Sequence, residues 1–259
     1  MALTLDQRLG HLRFNVFGVF EAWDADVPLR VGRRIERCLL GILALEAGRE
    51  VPVDRLTGLL WGEHGPRDPQ AALHTYVSRV RAALRRGHGD AQEVTVTCTG
   101  HGYRAEMSGD AVDALRFRAL LGQAHAMADP RLRARSLRSA IALRRGPLLD
   151  DVATEEIRKR LTAPWDESWL TAREDAIDAE MACGLHRELL PELMELCAEH
   201  PFRERFTVAL MRALDRSGRT ADALATYSEA ERSMRRALAI APGPQLRALQ
   251  AAILRGEPA

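Results

Sequence analysis

The sequence predicts an α+β N-terminal domain followed by an all-α region. Apolar alternation typical of strands is confined to roughly the first 30 residues and to residues 94–107. Apolar residues at helical spacing fill the segment between them. Beyond Val112 the strand signal almost vanishes, and Ala, Leu, Arg and Glu recur at helical spacing. The boundary is predicted at the MSGD segment, residues 107–110.

Charge and hydropathy exclude several classes of protein. The chain has 259 residues, with 37 Lys and Arg against 36 Asp and Glu, so its formal charge of +1 does not suit a protein that coats a polyanion. Its most apolar stretch, residues 39–45, is far shorter than the roughly 20 residues of a membrane span. The N-terminus lacks the pattern of a secretory signal. We therefore expect a cytoplasmic protein without a membrane partner.

Periodicity, glycine and proline assign the first elements. LRFNVFGVFEAW alternates like a strand, and the short VPLRV follows it. From Arg33 the period becomes helical, with Gly48 as its stop, and a second helix is predicted over about Val53 to Trp61. GEHGPRDPQ is a loop because it contains two Gly and two Pro residues. Asp68 is the predicted N-cap of the next helix, and Pro69 is its first residue.

This third helix, predicted over residues 69–86, has an apolar face and a polar face that carries arginine. Steps of about 100° per residue place four apolar side chains on one narrow, buried face: Leu73, Val77, Val80 and Leu84. The opposite face and its flanks carry the polar side chains, which are His74, Thr75, Ser78, Arg79, Arg81, Arg85 and Arg86. Residues 71–89 contain four arginines and no acid, so positive charge is concentrated on this helix.

The segment after the helix, EVTVTCT-GHG-YRAEM, predicts two short strands around a glycine turn. Helices followed by such a hairpin are the arrangement of a winged helix-turn-helix. Its third helix enters the major groove of DNA, and the hairpin, or wing, touches a neighbouring groove or the backbone. The alternative is that the arginines are simply a solvated helix face.

The all-α region contains a weak internal repeat. The segment GLHRELLPEL, which begins at Gly184, recurs as GRTADALATY from Gly218, at an offset of 34 residues. That offset is the period of tetratricopeptide helix pairs. A glycine turn before an alanine-rich helix also suits close packing of such pairs. The region is therefore predicted to be tetratricopeptide-like.

The order of the first elements, with GHGYR (residues 100–104) in the hairpin, resembles the effector domain of OmpR-type response regulators. Later segments resemble the bacterial transcriptional activation domain, and they are RLRARSLRSAIALRRGPLLDDV, ELLPELMELCAEHPFRERFTVALMRALDRSGRTADALATYSEAERSMRRAL and AIAPGPQLRALQAAIL. This pairing defines the Streptomyces antibiotic regulatory protein (SARP) family. The resemblance covers residues 12–255. It implies a winged-helix DNA-binding domain over 1–107 and a tetratricopeptide-like activation domain over 111–259.

The resemblance implies a sequence-specific DNA-binding activator. Such a protein binds direct repeats at promoters of a secondary-metabolite (antibiotic) gene cluster and recruits RNA polymerase holoenzyme. Copies of the chain are then expected to lie head to tail on double-stranded DNA as a homodimer. The family's recognition helix corresponds to residues 71–86, its polymerase-contacting loop to 62–70 and its wing to 94–107. The chain carries neither a receiver nor a nucleotide-binding domain, so we expect activation by neither an aspartyl phosphate nor ATP.

Candidate residues follow from this correspondence. Those expected to contact DNA lie on the helix and the wing, and they are Thr75, Ser78, Arg79, Arg81, Arg85, Arg86, Thr97, Thr99 and His101. Those expected to contact polymerase are Glu63, His64 and Arg67. Thr99 is a departure, since OmpR-type relatives often have a basic residue before the wing glycine. Minor-groove insertion of the wing therefore stays open, and its polar residues are candidates for phosphate hydrogen bonds.

Two further questions stay open in the sequence. Six arginines lie within residues 131–149, either as a second contact with DNA or polymerase, or as an exposed helix balanced by Asp150, Asp151, Glu155 and Glu156. The whole chain is alternatively a protein-interaction adaptor whose helix pairs bind a partner without DNA. GxSxG, HExxH, GxxxxGK[ST] and metal-ligand spacings are missing, and GxGxxG does not occur in a strand-to-helix context. We expect no enzymatic activity, no metal and no cofactor.

Overall fold

The computed structural model describes residues 12–87 and 94–257. These residues form helices and two small sheets, and they divide into two compact units. The first unit contains residues 12–123 and 139–170, and the second contains residues 124–138 and 171–257. The predicted class, an α+β region followed by helices, is confirmed.

The first sheet is antiparallel and has the strand order β1-β2-β3, with β1 (Leu12–Asn15), β2 (Glu21–Asp24) and β3 (Val27–Pro28). Phe14 lies opposite Ala22, and both side chains are buried. Because successive side chains of a strand point to opposite faces, alternate residues of β1 reach the core. The strand character predicted for LRFNVFGVFEAW is confirmed at both ends, but the segment forms two strands, β1 and β2, separated by residues 16–20.

Three helices of the first unit pack on one another: α1 (Arg34–Leu45), α2 (Val53–Trp61) and α3 (Pro69–Gly87). Asp68 Oδ1 accepts a hydrogen bond from the Ala71 N–H at 2.9 Å, which confirms the predicted N-cap of α3. The apolar face predicted for α3 is also confirmed, since each of its four side chains is at most 2% exposed: Leu73, Val77, Val80 and Leu84.

The second sheet has the strand order β4-β6-β5, with β4 (Glu50–Pro52), β5 (Thr95–Cys98) and β6 (Gly102–Glu106). β5 and β6 form the predicted wing, and Gly100 in its turn has a φ of +92°, which favours glycine. A Cβ on Gly102 would lie 2.3 Å from the carbonyl oxygen of Val51, so β6 lies too close to β4 for a side chain there. β4 was not predicted, because three residues are too few to show a period of two.

Asp113 connects the start of α4 (Asp113–Ala126) to the loop after β1. The residue is 6% exposed, and its carboxylate accepts hydrogen bonds from the N–H groups of Val16 at 2.9 Å and Phe17 at 3.1 Å. The same loop is bonded from the other direction, since the Leu149 N–H donates to the Val16 carbonyl at 2.8 Å. Residues beyond 107–110 therefore contribute to the core that holds β1. The boundary predicted there stays a prediction.

The remaining helices follow in chain order: α5 (Pro130–Ile141), α6 (Glu155–Ile157), a π-helical turn (Arg158–Thr162), α7 (Ala163–Ala182), α8 (Leu190–Glu199), α9 (Glu204–Arg216), α10 (Thr220–Leu238) and α11 (Pro244–Leu254). In the second unit α9 packs against α8, α10 and α11. Its Phe206, Met211 and Leu214 side chains are buried. α9 is therefore the central helix of that unit.

The 34-residue repeat is visible in the backbone. Gly184 follows α7 with a φ of +85°, and Gly218 follows α9 with a φ of +78°. In each turn the residue after the glycine donates a hydrogen bond to a carbonyl five positions back. Leu185 bonds Glu180 at 3.2 Å, and Arg219 bonds Leu214 at 2.9 Å. Both helices thus end in the same Schellman turn, and the tetratricopeptide-like arrangement is confirmed.

The arginine-rich segment 131–149 makes specific ion pairs. Three of its arginines have carboxylate partners within their own unit: Arg138 with Glu180 and Glu192, Arg144 with Asp166, and Arg145 with Glu21. Two of the four acids suggested as their balance have other partners, as Asp151 pairs with Arg37 and Glu156 with Arg160. The suggested balance is therefore wrong for these two acids, because Arg37 and Arg160 both lie outside the segment 131–149.

Arg138 joins three helices through one guanidinium group. Its Nε and Nη2 donate to both oxygens of Glu180 on α7, at 2.9 and 2.6 Å. Its Nη1 and Nη2 donate to both oxygens of Glu192 on α8, at 2.9 and 2.7 Å. Burial alone would raise the pKa of Glu192, but hydrogen bonds from Arg138 and Arg173 outweigh it and hold the pKa below its ordinary value.

Arg138→Met is expected to lower the free energy of unfolding by about 2 kcal/mol at pH 7, because it removes two charge-assisted forks from a half-buried site. The pKa of Glu192 is lower in the folded chain, so this stabilisation is present above the ordinary glutamate pKa. It is lost as the pH falls through the folded value. Urea titrations at several pH values measure both effects. Arg135→Met, an exposed neighbour, is the control, and an equal loss in that variant contradicts the assignment.

Candidate nucleic-acid interface

The outer face of α3 presents polar side chains to solvent. Thr75, Ser78 and Arg79 are all exposed, on the side away from the buried apolar stripe. The Thr75 hydroxyl donates to the carbonyl of Ala71 at 3.0 Å, which leaves its oxygen as an acceptor for an outside donor. The structure therefore places these three of the residues expected to contact DNA together on one face of α3.

Two contacts restrain the Arg79 side chain, one with Glu36 and one with Tyr76. Its Nη1 donates to Glu36 Oε1 at 3.2 Å, and its guanidinium carbon lies 5.6 Å from the centre of the Tyr76 ring. The Arg79 side chain is still 57% exposed, so it keeps donors that point to solvent. The ion pair and the ring reduce the number of rotamers that Arg79 can adopt, which prepares it for a directed contact.

Glu36 is the site residue that the sequence analysis missed. Its side chain is 3% exposed, which is rare for a glutamate without a charged partner. Its other oxygen accepts a hydrogen bond from the Arg33 N–H at 3.1 Å, in a capping box at the start of α1. The sequence does contain the helix start and a glutamate three residues later. These residues predict the cap, but they do not predict that Arg79 on α3 is the partner of Glu36.

The remaining arginines of α3 differ in their surroundings. Arg81 is half-buried, and its Nε donates to the carbonyl of Val96 in β5 at 2.6 Å, so it ties the helix to the wing. Arg85 and Arg86 are exposed in the last turn of α3, where a positive charge also favours the helix terminus. These two arginines are available to phosphates, while Arg81 has a structural contact.

A second contact ties the wing to α3. The hydroxyl of Tyr103 in β6 is hydrogen-bonded to Nδ1 of His74, and burial raises the pKa of that tyrosine above its ordinary value. Together with Arg81, this contact fixes the wing against α3. The two elements therefore present their polar groups as one surface.

The wing residues assigned to phosphates have different exposures. Thr97 and His101 are exposed, and the Thr97 hydroxyl lies 3.5 Å from the carbonyl of Arg104. Thr99 is half-buried, and its hydroxyl oxygen is inaccessible and without a hydrogen-bond partner in the described chain. Thr97 and His101 are thus the better placed of the three, and the role of the wing stays a prediction.

The loop between α2 and α3 is exposed throughout. Glu63, His64 and Arg67 all face solvent, while Asp68 is used to cap α3. Gly62 begins the loop with a φ of +58°, a conformation that favours glycine. The loop thus carries three charged or titratable side chains away from the apolar core.

Other kinds of site were sought in the part of the chain that the structure describes. No helix there is long and apolar enough to cross a bilayer. No cluster of three or more His, Cys, Asp or Glu side chains there is arranged to hold a metal ion.

Two protein families match this chain in tandem. Residues 31–105 match the family described as "Transcriptional regulatory protein, C terminal", and residues 112–254 match "Bacterial transcriptional activator domain". The first match contains α1 to α3 and most of the wing. The second begins just before α4 and contains the tetratricopeptide-like helices.

Named regulators are similar in sequence to this chain. Regulatory protein DnrI of Streptomyces peucetius is 33% identical over 255 residues, which is 95% of this chain and 93% of DnrI. Regulatory protein AfsR of Streptomyces coelicolor is 36% identical over 98% of this chain, but only 25% of AfsR is covered. Transcriptional regulatory protein EmbR of Mycobacterium tuberculosis is 33% identical over 98% of this chain. The chain spans 66% of the length of EmbR.

A solved structure agrees with these sequence matches. M. tuberculosis EmbR, in complex with a low-affinity phosphopeptide, superposes with a TM-score of 0.89 at 32% identity. The superposition covers 96% of this chain and 66% of the EmbR chain. The winged-helix class and the resemblance drawn from the sequence are thereby confirmed. The chain belongs to the SARP family of transcriptional activators, in which a winged-helix domain precedes a bacterial transcriptional activator domain.

Proposed function

We propose that this chain binds promoter DNA sequence-specifically and activates a secondary-metabolite gene cluster. The outer face of α3 carries the proposal, because Thr75, Ser78 and Arg79 are exposed there beside one another. An arginine fork fits guanine O6 and N7 in the major groove, and serine and threonine hydroxyls reach either kind of base-pair edge. Membership of the SARP family, whose name refers to antibiotic regulation, supports a secondary-metabolite target.

Gel-shift titration tests the proposal against the adaptor alternative. Fragments upstream of the neighbouring genes are titrated at fixed salt, with unrelated DNA of equal length as the reference. Specific binding predicts that one fragment binds at least about 10³-fold more tightly than the reference. Equal affinity for every fragment contradicts the proposal and supports the alternative, in which the chain is a protein-interaction adaptor that does not recognise a DNA sequence.

The proposal includes binding to direct repeats. Direct repeats require copies to lie head to tail, an arrangement without a two-fold axis. The formal charge of +1 leaves little long-range repulsion between neighbours. We therefore expect weak self-association in solution and cooperative binding on adjacent repeats.

Deleting one of two repeats is expected to weaken binding to the other by about tenfold, which corresponds to about 1.4 kcal/mol of neighbour contact. Fluorescence anisotropy with labelled duplexes measures the loss. Inserting about five base pairs between intact repeats is the control, since half a helical turn moves the neighbours to opposite faces of the DNA. Unchanged affinity for the single repeat contradicts the head-to-tail arrangement.

Recruitment of RNA polymerase is assigned to the exposed loop between α2 and α3. Glu63, His64 and Arg67 supply no core packing, and charged rim residues of this kind suit a weak, transient partner. A recognition helix in the groove leaves the loop that precedes it outside the groove. The same molecule can then bind DNA and polymerase together.

The double variant Glu63→Ala, Arg67→Ala is expected to bind the promoter like the wild type but to reduce transcription about fivefold, which corresponds to about 1 kcal/mol of lost contact. Asp68 is left intact, because it caps α3. The variant Glu229→Ala, Arg232→Ala removes an exposed ion pair from α10 and serves as the control. Equal transcription from the loop variant and the wild type assigns recruitment to another surface.

A further inference from the structure

The second unit contains a cavity of about 510 Å³ between the two corresponding helices of the internal repeat. Residues 34 apart line it from both helices, as Asp178 and Ala182 of α7 correspond to Arg212 and Arg216 of α9. The turn after α7 closes one end with His186. Its volume lies within the range of small-molecule pockets, and repeat proteins commonly bind ligands on such concave surfaces.

The α9 side of this cavity carries positive charge, from Arg212 and Arg216. Arg212 is half-buried, yet it has neither an ion pair nor a hydrogen bond in the part of the chain that the structure describes. Neighbouring arginines are engaged; Arg205, for example, donates to Asp178 at 2.8 Å. Asp178, the carboxylate that lines the cavity, therefore has an ion-pair partner, although Arg205 also pairs with Glu174 and Asp175. A half-buried guanidinium without an ion pair is suited to bind an anion.

Apolar side chains form part of the cavity lining, and the turn after α7 adds the titratable His186. Met181, Ala182 and Ala209 line the cavity with carbon and sulfur. His186 Nδ1 lies 3.2 Å from the sulfur of Met181 and donates to it, since a thioether only accepts, so Nε2 can donate to an anion only when the ring is protonated. Burial and the charge of Arg216 lower the pKa of His186, although Glu188 in its own turn opposes them.

We propose that this cavity binds a small organic acid. Its carboxylate or phosphate lies against Arg212 and Arg216, and its carbon skeleton lies on Met181, Ala182 and Ala209. The site concerns the second unit alone, so it does not depend on DNA binding by α3.

Benzoate, phenyl phosphate and uncharged benzamide are the probes, titrated into the full-length chain by calorimetry. Both anions are expected to bind saturably with a dissociation constant on the order of 1 mM, as suits fragments of this size. Benzamide is expected to bind at least about tenfold more weakly, because its uncharged amide cannot replace the ion pair between a carboxylate and Arg212. The tighter of the two anions identifies the head group as a carboxylate or a phosphate.

Two variants and a control locate the binding. Arg212→Gln is expected to weaken both anions at least about tenfold, and Ala182→Leu is expected to block them by filling the cavity from an exposed position. Arg236→Gln, an exposed arginine on α10, is expected to bind like the wild type. Benzoate stays ionised above about pH 5, so its affinity is expected to rise as the pH falls below the ordinary histidine pKa and His186 gains a proton. Absence of saturable binding by either anion, or equal binding by Arg212→Gln, overturns the proposal.

Discussion

Arg79→Ala is expected to weaken promoter binding by about 5- to 150-fold and to relax base preference at one position. Arg79 is central on the exposed face of α3, and loss of a bidentate contact with guanine costs about 1–3 kcal/mol. The measurement compares the cognate duplex with duplexes that carry single base changes, at one salt concentration. Wild-type affinity and selectivity in this variant would show that the face has been misassigned.

A matched background separates DNA recognition from folding. Arg79→Ala also leaves the buried Glu36 carboxylate without its cation, which destabilises the first unit. Glu36→Gln keeps the shape of the side chain and removes the charge, so Arg79→Ala in that background leaves no unpaired carboxylate. Relaxed base preference in both backgrounds assigns the effect to DNA contact. Relaxation only when Glu36 is charged assigns it to misfolding.

Arg85→Ala provides a contrast on the same helix. An exposed arginine in the last turn of α3 is assigned to phosphate, so its loss should weaken binding to all sequences alike. It should also reduce the slope of log K against log salt by about 1. Arg79→Ala and Arg85→Ala thus differ in selectivity even where their affinities are similar.

Asp113→Ala is expected to lower the free energy of unfolding by about 4 kcal/mol. The substitution removes the acceptors of the Val16 and Phe17 N–H groups, and each buried, unsatisfied donor costs about 1–3 kcal/mol. The same carboxylate also accepts from the Ala114 N–H at 2.7 Å, at the first turn of α4. Chemical denaturation monitored by circular dichroism measures the change.

Asp110→Ala is the control for this prediction. Asp110 lies three residues earlier and is exposed, so its loss should change stability by no more than about 0.5 kcal/mol. An equally mild effect of Asp113→Ala would mean that water replaces the carboxylate, and that residues 113–123 do not hold the loop after β1.

The local spacing of apolar and polar residues was sufficient to predict the helices and strands that have one buried face and one exposed face. The spacing of Leu73, Val77, Val80 and Leu84 fixes which side of α3 is buried, and the exposed side follows from it. The identities of Asp68 and Pro69 are sufficient to predict the start of α3. The repeated glycines, Gly184 and Gly218, likewise mark equivalent helix ends, because their conformation is local.

Contacts between distant segments could not be read in this way. The pair between Glu36 and Arg79 spans 43 positions, and each residue alone resembles an ordinary surface charge. Arg81 was grouped with the DNA-contacting arginines, although its geometry joins α3 to Val96 of the wing. Such partners are decided by packing of whole elements and leave no periodic signal in the sequence.

The most direct test of the account is protection of guanine N7 from dimethyl sulfate, a major-groove reagent, on promoter DNA bound by the chain. If α3 reads the major groove, guanines should be protected at the same position of each direct repeat. Protection at one of those guanines should disappear with Arg79→Ala and persist with Arg85→Ala. Saturated binding without any protected guanine, or with the same protection in both variants, would contradict recognition through the outer face of α3.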